Sequence, residues 1–101
     1  MEENYENKKD RTHFINRTYR IPPELKPYIP IVGVGLSLLL SSWEFPKASR
    51  EDAKNTKVPL TAEEVEQLGY LARHARMSAT EVIAAALLRA RASNVRPRRM
   101  A

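Results

Sequence analysis

The clearest patterning of apolar and polar positions lies in the second half of the chain. Lys57-Val58-Pro59-Leu60 alternates as a half-buried strand does, and Thr61 with Glu64 then forms a Thr-x-x-Glu capping box that starts a helix. Along that helix Val65, Leu68, Ala72 and Ala75 recur at three- and four-residue steps with Leu71 beside them. Glu63, Glu66, Gln67 and Arg73 fall mainly on the other face. Gly69 sits mid-helix at ~1 kcal/mol relative to alanine, which points either to a close backbone approach or to a weak point. After an Arg76-Met77 turn, Ser78 with Glu81 makes a second capping box. The helix it opens carries Val82, Ile83, Ala86, Leu87 and Ala90 on one stripe. The prediction for residues 56–92 is one strand followed by two short helices.

The first half reads differently. Residues 1–26 are taken as a mobile polar arm: through residue 20 they are mixed in charge and show neither strand nor helix period. Pro22, Pro23, Pro27 and Pro30 exclude a regular helix and favour extended or turn backbone through Ile29. Residues 27–46 form an apolar segment, whose seventeen uncharged positions between Lys26 and Glu44 stand at the lower edge of the ~17–25 that cross a bilayer. The preferred reading is a short buried helix or strand from Leu36 to Trp43, packed on the C-terminal unit or on a protein partner. Residues 47–55 are charged, lack large apolar side chains and read as a linker; residues 93–101 are a basic tail. Tyr19-Arg20-Ile21-Pro22 set beside Lys57-Val58-Pro59-Leu60 shows no likeness beyond a few positions, so no internal repeat is read.

Charge changes the picture by its placement. Of a net +5, residues 1–46 contribute six cations against six acids, and residues 47–101 eleven against six. A basic half points to a polyanion partner, since cations near phosphates release condensed counterions. The absence of cysteine excludes disulfides, thiolate metal sites and cysteine nucleophiles. His13 and His74 are far apart without ligand-spaced neighbours, so no metal and no cofactor is expected. The acidic, amide-rich start is unlike a secretory signal, and a cytoplasmic, nucleoid-associated location is expected.

The strand Lys57-Val58-Pro59-Leu60-Thr61, the helix after it, the Met77-Ser78 turn and the apolar second helix together resemble the ribbon-helix-helix family of DNA-binding proteins. The likeness covers about 37 of 101 residues. Independently, a unit with one strand leaves backbone groups unpaired and has too small a core to stand alone, so it is expected to be a homodimer. The fold class anticipated is therefore mainly α with one short strand. It is a β-α-α unit that dimerises through an antiparallel two-stranded ribbon, preceded by a partly disordered arm. Val58, Leu60, Val65, Leu68, Leu71, Val82, Ile83 and Leu87 would form the dimer core.

The two-residue period places Asn55, Lys57 and Pro59 on the ribbon's solvent face, of a width that fits the major groove of double-stranded DNA. The resemblance implies that these alternate side chains contact bases: Lys57 suits guanine O6 or N7, and Asn55 suits adenine. Pro59 departs from the polar residue the family carries there, and must turn its nitrogen away from the ladder. Ser78, Ala79 and Thr80 open the second helix with N–H groups and a positive dipole end. The resemblance makes this a phosphate clamp, where the residues alone read equally as a plain serine cap; Arg73 and Arg76, near the inter-helix turn, are further candidate phosphate contacts. Arg89, Arg91, Arg96, Arg98 and Arg99 crowd the chain end, where they either lie along phosphates or solvate the tail.

The function expected is sequence-specific duplex binding as a homodimer, with higher-order assembly on DNA an extension of it. Transcriptional repression, plasmid copy control, partition and relaxosome accessory roles all fit. The alternative is a small membrane-associated or partner-docking protein, including an antitoxin, that uses residues 27–43. Catalysis is not expected: Gly33-Val34-Gly35 lacks the third glycine and the acidic partner of a dinucleotide fingerprint, and no nucleophile–base pair is present.

Overall fold

A computed structural model describes residues 14–93. Residues 1–13 and 94–101, with His13, Arg96, Arg98 and Arg99, lie outside the described residues. The chain order is strand β1 (Ile15–Ile21), a 3₁₀ helix (Pro23–Ile31), helix α1 (Val32–Ser42), strand β2 (Lys54–Leu60), helix α2 (Ala62–Ala75) and helix α3 (Ala79–Ala92).

The single-strand fold class is overturned by β1. Residues 15–21, read from sequence as part of a mobile arm, pair antiparallel with β2 from Ile15 opposite Leu60 to Ile21 opposite Lys54. The two-stranded ribbon is thus built within one chain, and β2 has no vacant edge on the side where a second copy was expected. Pro59 has no N–H and belongs in a non-hydrogen-bonded pair, here with Asn16; alternation then assigns the bonded pairs to Leu60, Val58 and Thr56.

A second correction follows from the connectivity. Strand, helix, helix occurs twice, with Ile15–Ile21 and Lys54–Leu60 displaced by 39 residues along the chain. Burial matches at this offset: Tyr19 and Ile21 are buried around exposed Arg20, as Val58 and Leu60 are around exposed Pro59. The two units interlock. α3 packs on α1 and on the 3₁₀ helix of the first unit, while α1 in turn packs on α2 of the second.

Local chemistry accounts for each element. The prolines that exclude an α-helix still permit the tighter 3₁₀ turns of Pro23–Ile31, where extended backbone was expected; Leu25 is its buried anchor. α1 begins beyond Pro30 and buries Val32, Gly35, Leu36 and Leu39 on one stripe. It ends at Trp43, whose φ of 54° is left-handed and whose N–H donates to the Leu39 carbonyl at 2.8 Å. Trp43 leans on Phe45 and on Tyr70 of α2, with ring centroids 5.6 and 6.2 Å away. By length and composition Pro23–Ser42 is sufficient to cross a bilayer; in this fold the apolar stripe of α1 lies on α3.

Both capping boxes form. Glu64 N donates to Thr61 Oγ1 at 3.1 Å and Thr61 N to Glu64 Oε1 at 2.9 Å; Glu81 N donates to Ser78 Oγ at 3.1 Å and Ser78 N to Glu81 Oε1 at 3.0 Å. α2 is amphipathic, whereas α3 is buried without a break from Val82 to Leu87 because it crosses the middle of the molecule.

The residues assigned to a dimer core lie in an intrachain core instead. Val58, Leu60, Leu68, Leu71, Val82, Ile83 and Leu87 are buried and Val65 is half-buried against them. What covers them is the first unit of the same chain, since Tyr19, Ile21, Leu25, Val32, Leu36 and Leu39 belong to the same cluster. Each fully buried Leu or Ile contributes ~1.5–3 kcal/mol. Ile21, Leu25, Leu36 and Leu39 are all fully buried, so the N-terminal unit is a full partner in stability.

Candidate nucleic-acid interface

One face of the ribbon covers the core and the other is open. Tyr19, Ile21, Val58 and Leu60 point inward, while Asn16, Thr18, Arg20, Asn55, Lys57 and Pro59 are all exposed. The cross-strand pairs on the open face are Asn16 with Pro59, Thr18 with Lys57 and Arg20 with Asn55. The strands carry four exposed cations, Arg17, Arg20, Lys54 and Lys57, and no carboxylate.

Asn55, Lys57 and Pro59 therefore occupy the solvent face expected of them, and the structure adds Asn16, Thr18 and Arg20 opposite. Sequence reasoning passed over these three. The signal was the alternation of Ile15, Arg17, Tyr19 and Ile21 with Asn16, Thr18 and Arg20, obscured because Arg17 interrupts the inward set. Arg20 is held in place: its Nη2 donates to the Ala53 carbonyl at 2.9 Å, and the Ala53 N–H donates to the Arg50 carbonyl at 3.2 Å. This use of one of five guanidinium donors fixes the side chain at the ribbon end and leaves most of its donor set for another acceptor.

The start of α3 holds Ser78, Ala79 and Thr80. The capping box consumes the N–H groups of Ser78 and Glu81 and the Ser78 hydroxyl, so Ala79 and Thr80 provide the amides outside the box. The Ser78 backbone N–H, foremost, holds the Glu81 carboxyl below its ordinary range, with smaller help from the cations Arg50 and Lys47. Lys47, Arg50, Met77 and Glu81 surround one cleft, which joins the linker to the start of α3. Arg73 lies exposed in the last turn of α2, and exposed Arg76 is its left-handed C-cap at φ 60°. Arg89 is turned to the loop after α1, its Nη1 3.4 Å from Glu44 Oε1.

The first unit's counterpart of that helix start is the beginning of α1, and it is built differently. Ile31 caps it with no side-chain hydrogen bond, and the Glu64 carboxylate lies against Gly33 in its first turn. Glu64, Pro59, Phe14, Pro30 and Val32 line one depression at the Asn16–Pro59 end of the ribbon.

No family model matches this chain, and no curated protein or solved structure does either.

Proposed function

We propose that this protein binds double-stranded DNA by laying the open face of its intrachain ribbon in the major groove. The observation that carries the reading is the composition of that face: six exposed alternate side chains, rich in amide, hydroxyl and cationic donors, on strands with four cations and no acid. A two-stranded ribbon is one of the elements the major groove admits. Arg20 and Lys57 match guanine O6 and N7, Asn16 and Asn55 match adenine N6 and N7, and Thr18 serves either a base or a thymine methyl. Exposed Arg17 and Lys54, which alternate with the open-face side chains, suit phosphates beside the groove, as do the amides of Ala79 and Thr80. Such binding serves as repression, or as an accessory role in plasmid copy control, partition or DNA transfer, according to where the site lies.

The test is fluorescence anisotropy of a labelled mixed-sequence duplex titrated with the protein and with Lys57→Ala, at low and at physiological salt. The two phosphate-neutralising cations, Arg17 and Lys54, give a log–log salt slope of about −1.8, or roughly a tenfold loss of affinity between 50 and 200 mM salt. The variant is expected to bind more weakly at both salt concentrations. Absence of binding at low salt by folded protein defeats the reading.

A further inference from the structure

The two ends of the ribbon are chemically unlike, although the backbone there is closely two-fold. At one end Arg20 and Asn55 face each other, Arg20 is anchored to Ala53, and the chain leads directly back through Arg50 and Lys47 to the start of α3. Cations and side-chain donors collect there, and Lys47 and Arg50 continue from it into the cleft with Met77 and Glu81 at the start of α3. At the other end Asn16 faces Pro59, which offers no side-chain donor, and the depression beside them holds the Glu64 carboxylate. That carboxylate lies against Gly33 in the first turn of α1, so a phosphate approaching the symmetric counterpart of the α3 amides would meet a like charge.

From this we infer that one chain reads a non-palindromic duplex site as a monomer, with discrimination concentrated at the Arg20–Asn55 end. The inference rests on the proposal that the ribbon enters the major groove. Two identical strands would present the same side chains to both half-sites, and a palindrome would follow from that symmetry. Here the strands present Asn-Thr-Arg and Asn-Lys-Pro in opposite directions. From Asn16 to Arg20 the outward positions span roughly 13 Å, or about four base pairs. One half of that site meets Arg20 and Asn55, the centre meets Lys57 and Thr18, and the far half meets Asn16 alone. The far half also faces a negative charge that disfavours close phosphates.

The experiment selects duplexes from a random pool with the full chain and determines the stoichiometry of the best complex by native mass spectrometry. The expected result is a motif without dyad symmetry and one chain of 11.6 kDa per duplex. Arg20→Ala and Asn55→Ala are each expected to cost on the order of tenfold on the selected duplex and to relax base preference on the same side of the motif, with Asn16→Ala having the smaller effect. The Asn55 side chain makes no hydrogen bond among the described residues, so its variant keeps the test valid should Arg20→Ala disturb the ribbon. A palindromic motif bound by two chains, or equal losses at Asn16 and Asn55, overturns the inference while leaving DNA binding intact. Failure to retain any duplex overturns both.

Discussion

Gly35 of α1 sits against the carbonyl of Ala86 on α3, so close that a methyl group on Gly35 would overlap the Ala86 backbone. This contact is where the second helices of the two units cross. Because neither helix presents a side chain larger than methyl at that point, the backbones approach directly and the flanking Leu36, Leu39, Ile83 and Leu87 are sealed from solvent.

Gly35→Ala is therefore expected to destabilise the protein by about 1–3 kcal/mol, the cost of overpacking a site that cannot relax, despite alanine's better helix propensity. Gly69 is the opposite case. A methyl there meets only the far end of the Arg73 side chain, at 3.4 Å. Gly69→Ala should gain up to ~1 kcal/mol. Urea unfolding followed by circular dichroism separates the two, and equal effects would refute the close-approach account.

Ile21 tests whether the first strand belongs to the core. It is completely buried, so Ile21→Ala should cost ~2–5 kcal/mol, whereas the exposed Asn16→Ala should stay within about 0.5 kcal/mol. If both variants unfold at the wild-type midpoint, β1 is not part of the cooperative unit.

The Ser78–Glu81 box makes a pH prediction. The folded Glu81 carboxyl titrates below its ordinary value because the charged form accepts the Ser78 N–H. Its stabilisation is full above the ordinary carboxylate range and disappears as pH falls through the lowered value. Glu81→Gln keeps an acceptor without a charge and should flatten this acidic part of the stability profile. Ser78→Ala should cost ~1 kcal/mol at neutral pH. Thermal melts from neutral pH down into the acid range check both.

Glu64 closes the box on α2 with one oxygen and faces the start of α1 with the other side of its carboxylate. Glu64→Gln preserves an acceptor for Thr61 but removes the charge beside the Asn16–Pro59 end. Affinity for a duplex at low salt should rise several-fold, with little effect at high salt. An unchanged low-salt affinity would place Glu64 away from the bound phosphates.

The second unit was legible because its signals are local. Two capping boxes and a three- and four-residue apolar repeat lie inside the segments they organise, so α2, α3 and the inward set Val58 and Leu60 follow from short stretches. β1 was not, since its reason to be a strand is a partner 39 residues away. Taken alone, Asn16-Arg17-Thr18-Tyr19-Arg20 looks polar. The repeat escaped notice for a geometric reason: matching Tyr19 with Lys57 is one residue out of register, which exchanges the inward and outward faces. Matching Tyr19 with Val58 aligns Asn16 with Asn55 and Ile21 with Leu60. The prolines likewise pointed away from an α-helix without distinguishing extended chain from a 3₁₀ helix. The outward side chains of β2 were recognised from their period alone, but the strand that pairs with it lies in the same chain and doubles the face.

Joining the two strands through the same backbone also changes how the fold responds to dilution. A ribbon shared by two polypeptides falls apart below its dissociation constant, and its stability depends on protomer concentration. Here the linker between α1 and β2 keeps the partners at an effective concentration on the order of millimolar, whatever the amount of protein present. The pairing of β1 with β2 would therefore survive even where only a few copies of the chain are present.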